Sequence, residues 1–439
     1  MQIARLYKLT KALAVKARTQ AVNQLKSVLI TADPALREEL AGLGDAELFR
    51  TCAGFAEASS CEWAGEESVC RPRGSPWGCW LSRSASYPNR SGRWTLVWPE
   101  PRSATAGIGT DLGRYVPGGG GGAALLRRWH PALPLTITGR DIDRAQRAAD
   151  ELGAATAATV DLRRSDLGLT ADRSYPAVVA APWDDHLNGL RYAQHRGLPH
   201  LSISSGLADI APVVVAGAQR TNAGPLLVAS HYCAGTLALA ALHSARQFDR
   251  IDTIRISAVL NDLDTGGPGG MADLQRWPTA TSAGLGRRER VFTWAIGPDA
   301  QADVCSTDGT DLPGQSIAIL DGPRLALATD APNDRVDFAV GESASRRRVE
   351  PASFEARIDL EGAGRGGAPI RTSRYLVHPE GQRPLTATGI ALGVERLLGL
   401  RGEAVTPGIH TLEALLDPAY AVERMAETDA AFIGAPGDS

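Results

Sequence analysis

Five consecutive glycines, Gly118 to Gly122, stand ahead of the helix-forming run "AALLRRW". Gly118, Gly120 and Ala123 fit the G-x-G-x-x-[GA] spacing, in which a turn without side chains lets backbone N–H groups approach a pyrophosphate at a helix N-terminus. A homopolymeric run satisfies many patterns by accident, so a flexible linker stays open beside that reading. About 20 residues further on, where dinucleotide folds read the ribose, Arg140 follows the strand-like "LPLTITG". An arginine there suits the 2′-phosphate of NADP, whereas an acidic residue would favour NAD. The plain alternative is a solvated side chain paired with Asp141 or Asp143. Further strands end in "AAPW" and "SISSG", which puts Ala181, Ser204 and Ser205 where ligands enter an open parallel sheet. The two serines could equally cap the next turn. His231, ahead of Tyr232 and Cys233, is the candidate proton donor. A lone histidine is more often a packing or surface residue.

Other chemistries are excluded. The four lysines are Lys8, Lys11, Lys16 and Lys26, so no Tyr-x-x-x-Lys pair of the short-chain dehydrogenase kind exists. The six cysteines include no pair at the two-residue spacing of zinc or redox motifs, and no metal site is expected. The net charge of -3 gives no general affinity for nucleic acid, and 44 % apolar with 22 % charged residues is an ordinary globular composition. No run of about 18 apolar residues and no signal-peptide pattern is present, so no membrane association and a cytoplasmic location are expected.

The elements that must position these residues fall into zones. Residues 1–58 read as a helical arm, with Ile3, Leu6, Leu9 and Leu13 near a helical period and Asp33-Pro34 opening a second helix. Residues 59–106 hold five of the nine tryptophans and no sustained period, and read as an irregular linker in which only "WTLVW" is strand-like. Residues 107–250 alternate strand and helix, the signature of a Rossmann-like parallel sheet, here with a degraded first strand. The helix "DIDRAQRAADELG" is capped by Asp141 and ended by Gly153, and helices follow at 184–195, 209–220 and 234–247. Residues 251–383 read as strands without helices between them, "TIRISAVL", "SIAIL", "RLALAT", "VDFAV", "FEARIDLEG" and "IRTSRYLVH", hence an inserted α+β domain with a mostly antiparallel sheet. Residues 384–439 return to helix. The expected fold class is α/β, a parallel sheet with a second, mostly antiparallel domain, preceded by a helical arm.

The run "LPLTITGRDIDRAQRAADELG", then "VDL", "AVVAAPW", "GLPHLSISSG" and "TATGIALGVERLLGL", resembles the saccharopine dehydrogenase and reductase-like family over about residues 107–425. The resemblance implies a Rossmann NAD(P)-binding domain, an inserted domain for a small-molecule substrate and for homodimer formation, and a C-terminal return to the first domain. It would place Gly118 and Gly120 at the pyrophosphate, Arg140 at the adenosine ribose or its phosphate, and Ala181 on the nicotinamide side. The sequence departs from the family where an apolar first strand should run into the glycine turn, because "GIGTDLGRYV" stands there instead. Residues 1–55 resemble the helical middle segment of an insertion-sequence transposase with a RuvC-like nuclease, without the acidic nuclease set or the serine-bearing domain. The leading expectation is an NADP-preferring (or NAD-using) oxidoreductase that moves hydride to or from a small carbonyl or imine, weakened by the altered glycine turn. A transposase-derived nucleic-acid-binding remnant and an inactive fusion product are the alternatives.

Overall fold

In the computed structural model the described residues are 94–97, 118–170, 173–203, 206–261, 263–264 and 283–435, all within the unit Ser86–Ser439. The helical arm, the transposase-like run, "GIGTDLGRYV", Ser204 and Ser205 lie outside the described residues.

Chain order begins with β1 (Trp94–Val97), α1 (Gly118–Trp129), β2 (Leu135–Gly139), α2 (Ile142–Leu152), β3 (Ala155–Thr159) and β4 (Val178–Ala180). It continues with α3 (Asn188–Arg196), β5 (His200–Ser202), α4 (Leu207–Gln219), β6 (Pro225–Val228) and α5 (Thr236–Ala245). The second region adds β7 (Phe248–Leu260), β8 (Gly284–Arg288), β9 (Val291–Ala295), β10 (Gln301–Cys305), β11 (Asp311–Ser316), α6 (Asp321–Thr329), β12 (Asn333–Val340), α7 (Ala344–Arg347), β13 (Phe354–Gly364) and β14 (Pro369–His378). The C-terminal stretch holds α8 (Arg383–Leu397), β15 (Gly408–His410), α9 (Leu412–Leu415), α10 (Pro418–Ala426) and β16 (Ala431–Gly434).

The first sheet has the order β15-β6-β5-β4-β1-β2-β3 and the second β10-β11-β12-β7-β13-β14-β16, with β8 paired to β12 and β9. The molecule is thus α/β, with one mainly parallel sheet and one mainly antiparallel. Strands β2 and β4 to β6 are buried along their whole length, as strands covered on both faces must be. In the second sheet Ile254, Ile256 and Ala258 of β7 face the core beside Leu360, Ile358 and Ala356 of β13, while Arg255 and Asp359 stand on the other face, where Val259 joins a smaller cluster with Val304 and Ala339. Helix α5 is apolar all round and buried from Leu237 to Ala241, so a single core runs from the parallel sheet to the inner face of the antiparallel one.

Local chemistry explains where helices start and stop. The Asp141 carboxylate accepts the Arg144 N–H at 3.1 Å, and Gly153 closes α2 at φ 61°. Asp417 caps α10 in the same way, with Pro418 in its first turn.

Four expectations need correction. "WTLV", assigned to the linker, occupies the central slot between β2 and β4, and it runs antiparallel to both. A degraded strand directly ahead of the glycines is therefore not what fills that slot. "RLALAT" is not a strand but most of α6. Its alternation over six residues is too short to decide, and leucine, alanine and arginine without a β-branched residue before Thr329 favour helix. "SIAIL" likewise supplies only Ser316 to β11 before the chain turns toward α6. The C-terminal stretch is not helical throughout, because β15 extends the parallel sheet and β16 the antiparallel one.

Candidate active site at the carboxyl edge of the parallel sheet

Strands β2 to β6 and β15 run in one direction, so their carboxyl ends share an edge. Backbone at such an edge opens into loops, and ligands of open parallel sheets bind there. Helix α1 begins at this edge. A methyl group at Gly121 would come within 2.9 Å of Ala387, one at Gly122 within 2.9 Å of Ile390, and one at nearby Gly389 within 2.4 Å of the Ala234 carbonyl, just past β6.

The glycine run is therefore helix rather than turn, with α1 starting at Gly118 itself. Gly121 and Gly122 have no side chain because α8 lies too close to admit one. Ala123, expected on the cofactor side, is fully buried in the core beneath the helix. Gly118 and Gly120 remain in the first turn, where the N–H groups of a helix have no partner inside it. Arg140 is exposed directly after β2, and Ala181 is half-buried directly after β4. Between Val97, at the opposite edge, and Gly118 lie residues 98–117, outside the described residues.

His231 lies just past β6 with its side chain fully buried. Its Nε2 is 3.4 Å from Glu413 Oε2, at the start of α9. Asp321, in the first turn of α6, accepts the Tyr232 N–H at 2.7 Å. Arg324, one turn further along α6, donates to Glu413 at 2.6 Å, and the Thr411 hydroxyl donates to the same oxygen at 2.5 Å. Both ring nitrogens of His231, Asp321 Oδ1 and Glu413 Oε2 are buried without a hydrogen-bond partner. Burial raises the Asp321 carboxyl to about 6 despite the pull of His231. Burial also pushes Glu413 up, but His231, Thr411 and Arg324 together hold it below the usual carboxylate range. The two acids are thus driven apart, one toward the neutral form and one firmly ionised, with the imidazole beside both.

The turn that carries His231 is strained. Cys233 (φ 49°), Ala234 (φ 53°) and Gly235 (φ 92°) are successive left-handed residues, two of them with side chains. Such conformations cost about 1–3 kcal/mol each and persist only where surroundings enforce them, commonly at functional sites. Here the Tyr232 ring is clamped edge-on to Phe338 at 4.6 Å, and its hydroxyl donates to Gln382 at 2.9 Å. Burial pushes the Cys233 thiol well up, so this cysteine is no nucleophile.

Of the residues singled out from sequence, the structure brings Gly118, Gly120, Arg140, Ala181 and His231 to one edge and removes Ala123 from it. Sequence reasoning missed Asp321, Arg324 and Glu413. Asp321 lies 89 residues from the backbone it grips and Glu413 lies 89 from Arg324, so no spacing rule could have joined them. Among the described residues no group of three or more His, Cys, Asp or Glu could hold a metal ion, and no helix is long and apolar enough to cross a membrane.

No protein-family model matches the chain, and no curated protein does. Among solved structures, apo saccharopine dehydrogenase (L-Glu forming) from Saccharomyces cerevisiae is similar at TM-score 0.43 and 10% identity, covering 72% of this chain and 98% of that one. A myo-inositol dehydrogenase from Corynebacterium glutamicum gives 0.34 and 14%, covering 70% and 91%. A scyllo-inositol dehydrogenase from Lactobacillus casei, with bound NAD(H) and scyllo-inositol, gives 0.33 and 13%, covering 68% and 90%. A likeness of this degree leaves fold and chemistry to be read from the geometry itself.

Proposed function

We propose that this chain is a nicotinamide-dependent oxidoreductase acting on a small carbonyl or imine substrate. The observation that carries the reading is the meeting, at one carboxyl edge, of a helix N-terminus built of glycine, an exposed arginine after the next strand and a buried imidazole flanked by two unlike carboxyls.

The residues present fit a dinucleotide. The first-turn N–H groups of α1 at Gly118 and Gly120 would face a pyrophosphate with no side chain in the way, favoured by the helix dipole. Arg140 would pair with a 2′-phosphate and so prefer NADP over NAD. The small Ala181 would leave room for a flat ring against the end of β4. The nicotinamide, when bound, supplies or accepts the hydride. His231 would handle the accompanying proton, with Glu413 beside it and Asp321 holding the turn that carries it.

The test is a thermal-shift titration of the full chain with NADPH and NADH. Binding to the folded state alone must raise the midpoint, by about 2.7 kcal/mol of stability at a hundredfold excess over Kd. A larger shift with NADPH, reduced in Arg140→Asp while the NADH shift is kept, supports the reading. No shift with either at millimolar cofactor overturns it, and an unchanged preference in Arg140→Asp removes that residue from the site.

A further inference from the structure

The run "VFTWAI", residues 291–296, places four large apolar side chains in six positions. A strand of that composition ordinarily buries at least one face. This one buries neither: Val291 is 60%, Phe292 40%, Trp294 56% and Ile296 65% exposed. Strand β9 pairs with β8 alone, and no described residue pairs with its other edge. Exposed, apolar, unpaired edges are what natural proteins avoid unless another chain covers them.

The hairpin is held rigidly in this pose. Its two-residue turn, Glu289 (φ 50°) and Arg290 (φ 70°), is left-handed at both positions without the asparagine and glycine that such turns favour. Outside contacts enforce it. Asn333 accepts the Glu289 N–H at 3.0 Å, the Pro332 carbonyl accepts the Arg290 N–H at 2.9 Å, and the Arg290 guanidinium sits on Asp330 at 2.7 Å. At the base, a methyl on Gly284 would meet Ser316 Oγ at 2.1 Å and one on Gly286 the Asp334 carbonyl at 2.6 Å, so β8 is pressed onto its neighbours. An edge fixed beforehand has little ordering entropy left to lose on binding.

The ladder sets which groups are on offer. Arg288 and Val291 close the two-residue turn, so Val291, Thr293 and Ala295 turn their N–H and C=O toward β8, while Phe292 and Trp294 turn theirs outward. We propose that this edge pairs with the same edge of a second copy, antiparallel, about a two-fold axis at Thr293. In that register Phe292 stands across from Trp294 of the other copy, twice, and Val291 across from Ala295. Each outward N–H and C=O of the two aromatic residues gains a partner. Cross-strand aromatic pairs are among the favourable ones, and an isologous two-fold contact closes on itself rather than growing into a fibre. A foreign strand would meet the same edge without this self-matching of unlike aromatics. Side-by-side pairing covers the backbone edge and the facing flanks of these side chains and leaves both sheet faces open, so the pair stays well below the lower limit of a specific interface, about 1,200 Å². A dimer that dissociates on dilution is expected.

Sedimentation of the full chain over a concentration series tests this, with three variants. The wild type should move from one chain toward two, and Trp294→Lys should stay at one chain with its melting temperature kept, because the side chain is exposed. Under mild oxidation Thr293→Cys should form a disulfide-linked pair, since the axis sets it against itself, whereas Val291→Cys should not. A wild type that remains a single chain, a two-chain mass that survives Trp294→Lys, or equal cross-linking of the two cysteine variants overturns the proposal.

Discussion

Two histidine–glutamate pairs sit at opposite edges of the parallel sheet, and they are built differently. At the amino edge His130 Nε2 lies 2.8 Å from Glu395 Oε1, while the Tyr420 hydroxyl donates to Glu395 Oε2 at 2.6 Å and Arg424 donates to that hydroxyl at 2.8 Å. The Arg424 guanidinium also covers the Trp129 ring at 4.5 Å, and Trp129 donates to Glu427 at 3.1 Å. Both Glu395 oxygens are engaged, and the network ties α1, α8 and α10 together. At the carboxyl edge His231 and Glu413 are 3.4 Å apart, with both imidazole nitrogens, one Glu413 oxygen and one Asp321 oxygen buried without a hydrogen bond. A buried polar network that is satisfied acts as scaffold, whereas one left open costs stability and persists for another reason. The difference separates a clamp from a candidate site made of the same residue types.

The comparison breaks first at Glu395. Glu395→Ala should strand the His130 ring and the Tyr420 hydroxyl and loosen three helices, at a cost of about 3–5 kcal/mol, read as a fall in denaturation midpoint. A loss below about 1 kcal/mol would mean that the amino-edge network is not a clamp.

Asp321 sharpens the comparison through pH. Its folded carboxyl lies at about 6 against 3.8 for the free group, so the folded state holds a proton that the unfolded state releases. That contribution is fully present below about pH 4 and is lost as pH rises through 6. Asp321→Asn keeps an acceptor for the Tyr232 N–H and removes the titration. Its stability relative to wild type should therefore rise between about pH 4 and 6 and level off above, in denaturant melts across that range. A gap that is flat with pH would show that Asp321 is not held toward its neutral form.

The smallest expected effect on stability is at His231. Its nitrogens make no hydrogen bond, and Arg324 and Thr411 still hold Glu413, so His231→Gln should change folding stability by less than about 1.5 kcal/mol, while turnover with any accepted substrate falls by about 10²-fold or more. A destabilisation as large as that of Glu395→Ala would make His231 a second clamp, and full turnover would remove it as the proton-handling group.

Much of the fold was legible because its causes are local. Asp141 and Gly153 mark the ends of α2 through bonds spanning three residues, and the apolar residues of β7 and β13 recur at every second position because alternate side chains of a strand share a face. The edge residues Gly118, Arg140, Ala181 and His231 could be named because each follows or opens an element that the period reveals. The rest depended on partners far away in the chain. Nothing in "WTLV" says that it will enter the middle of a parallel sheet backwards, since four strand-forming residues satisfy either ladder and only the vacant slot between β2 and β4 chooses. Nothing in "GGGGG" distinguishes a phosphate turn from a helix pressed against Ala387 and Ile390, because glycine permits both and only the approach of α8 selects. The sequence by itself determined where helices begin and end and which faces of strands are apolar, because those depend on neighbours within a few residues. Only the tertiary structure decided strand direction, the helical state of the glycines and the company of His231, because buried charge and backbone pairing take their energies from groups that sequence distance keeps apart.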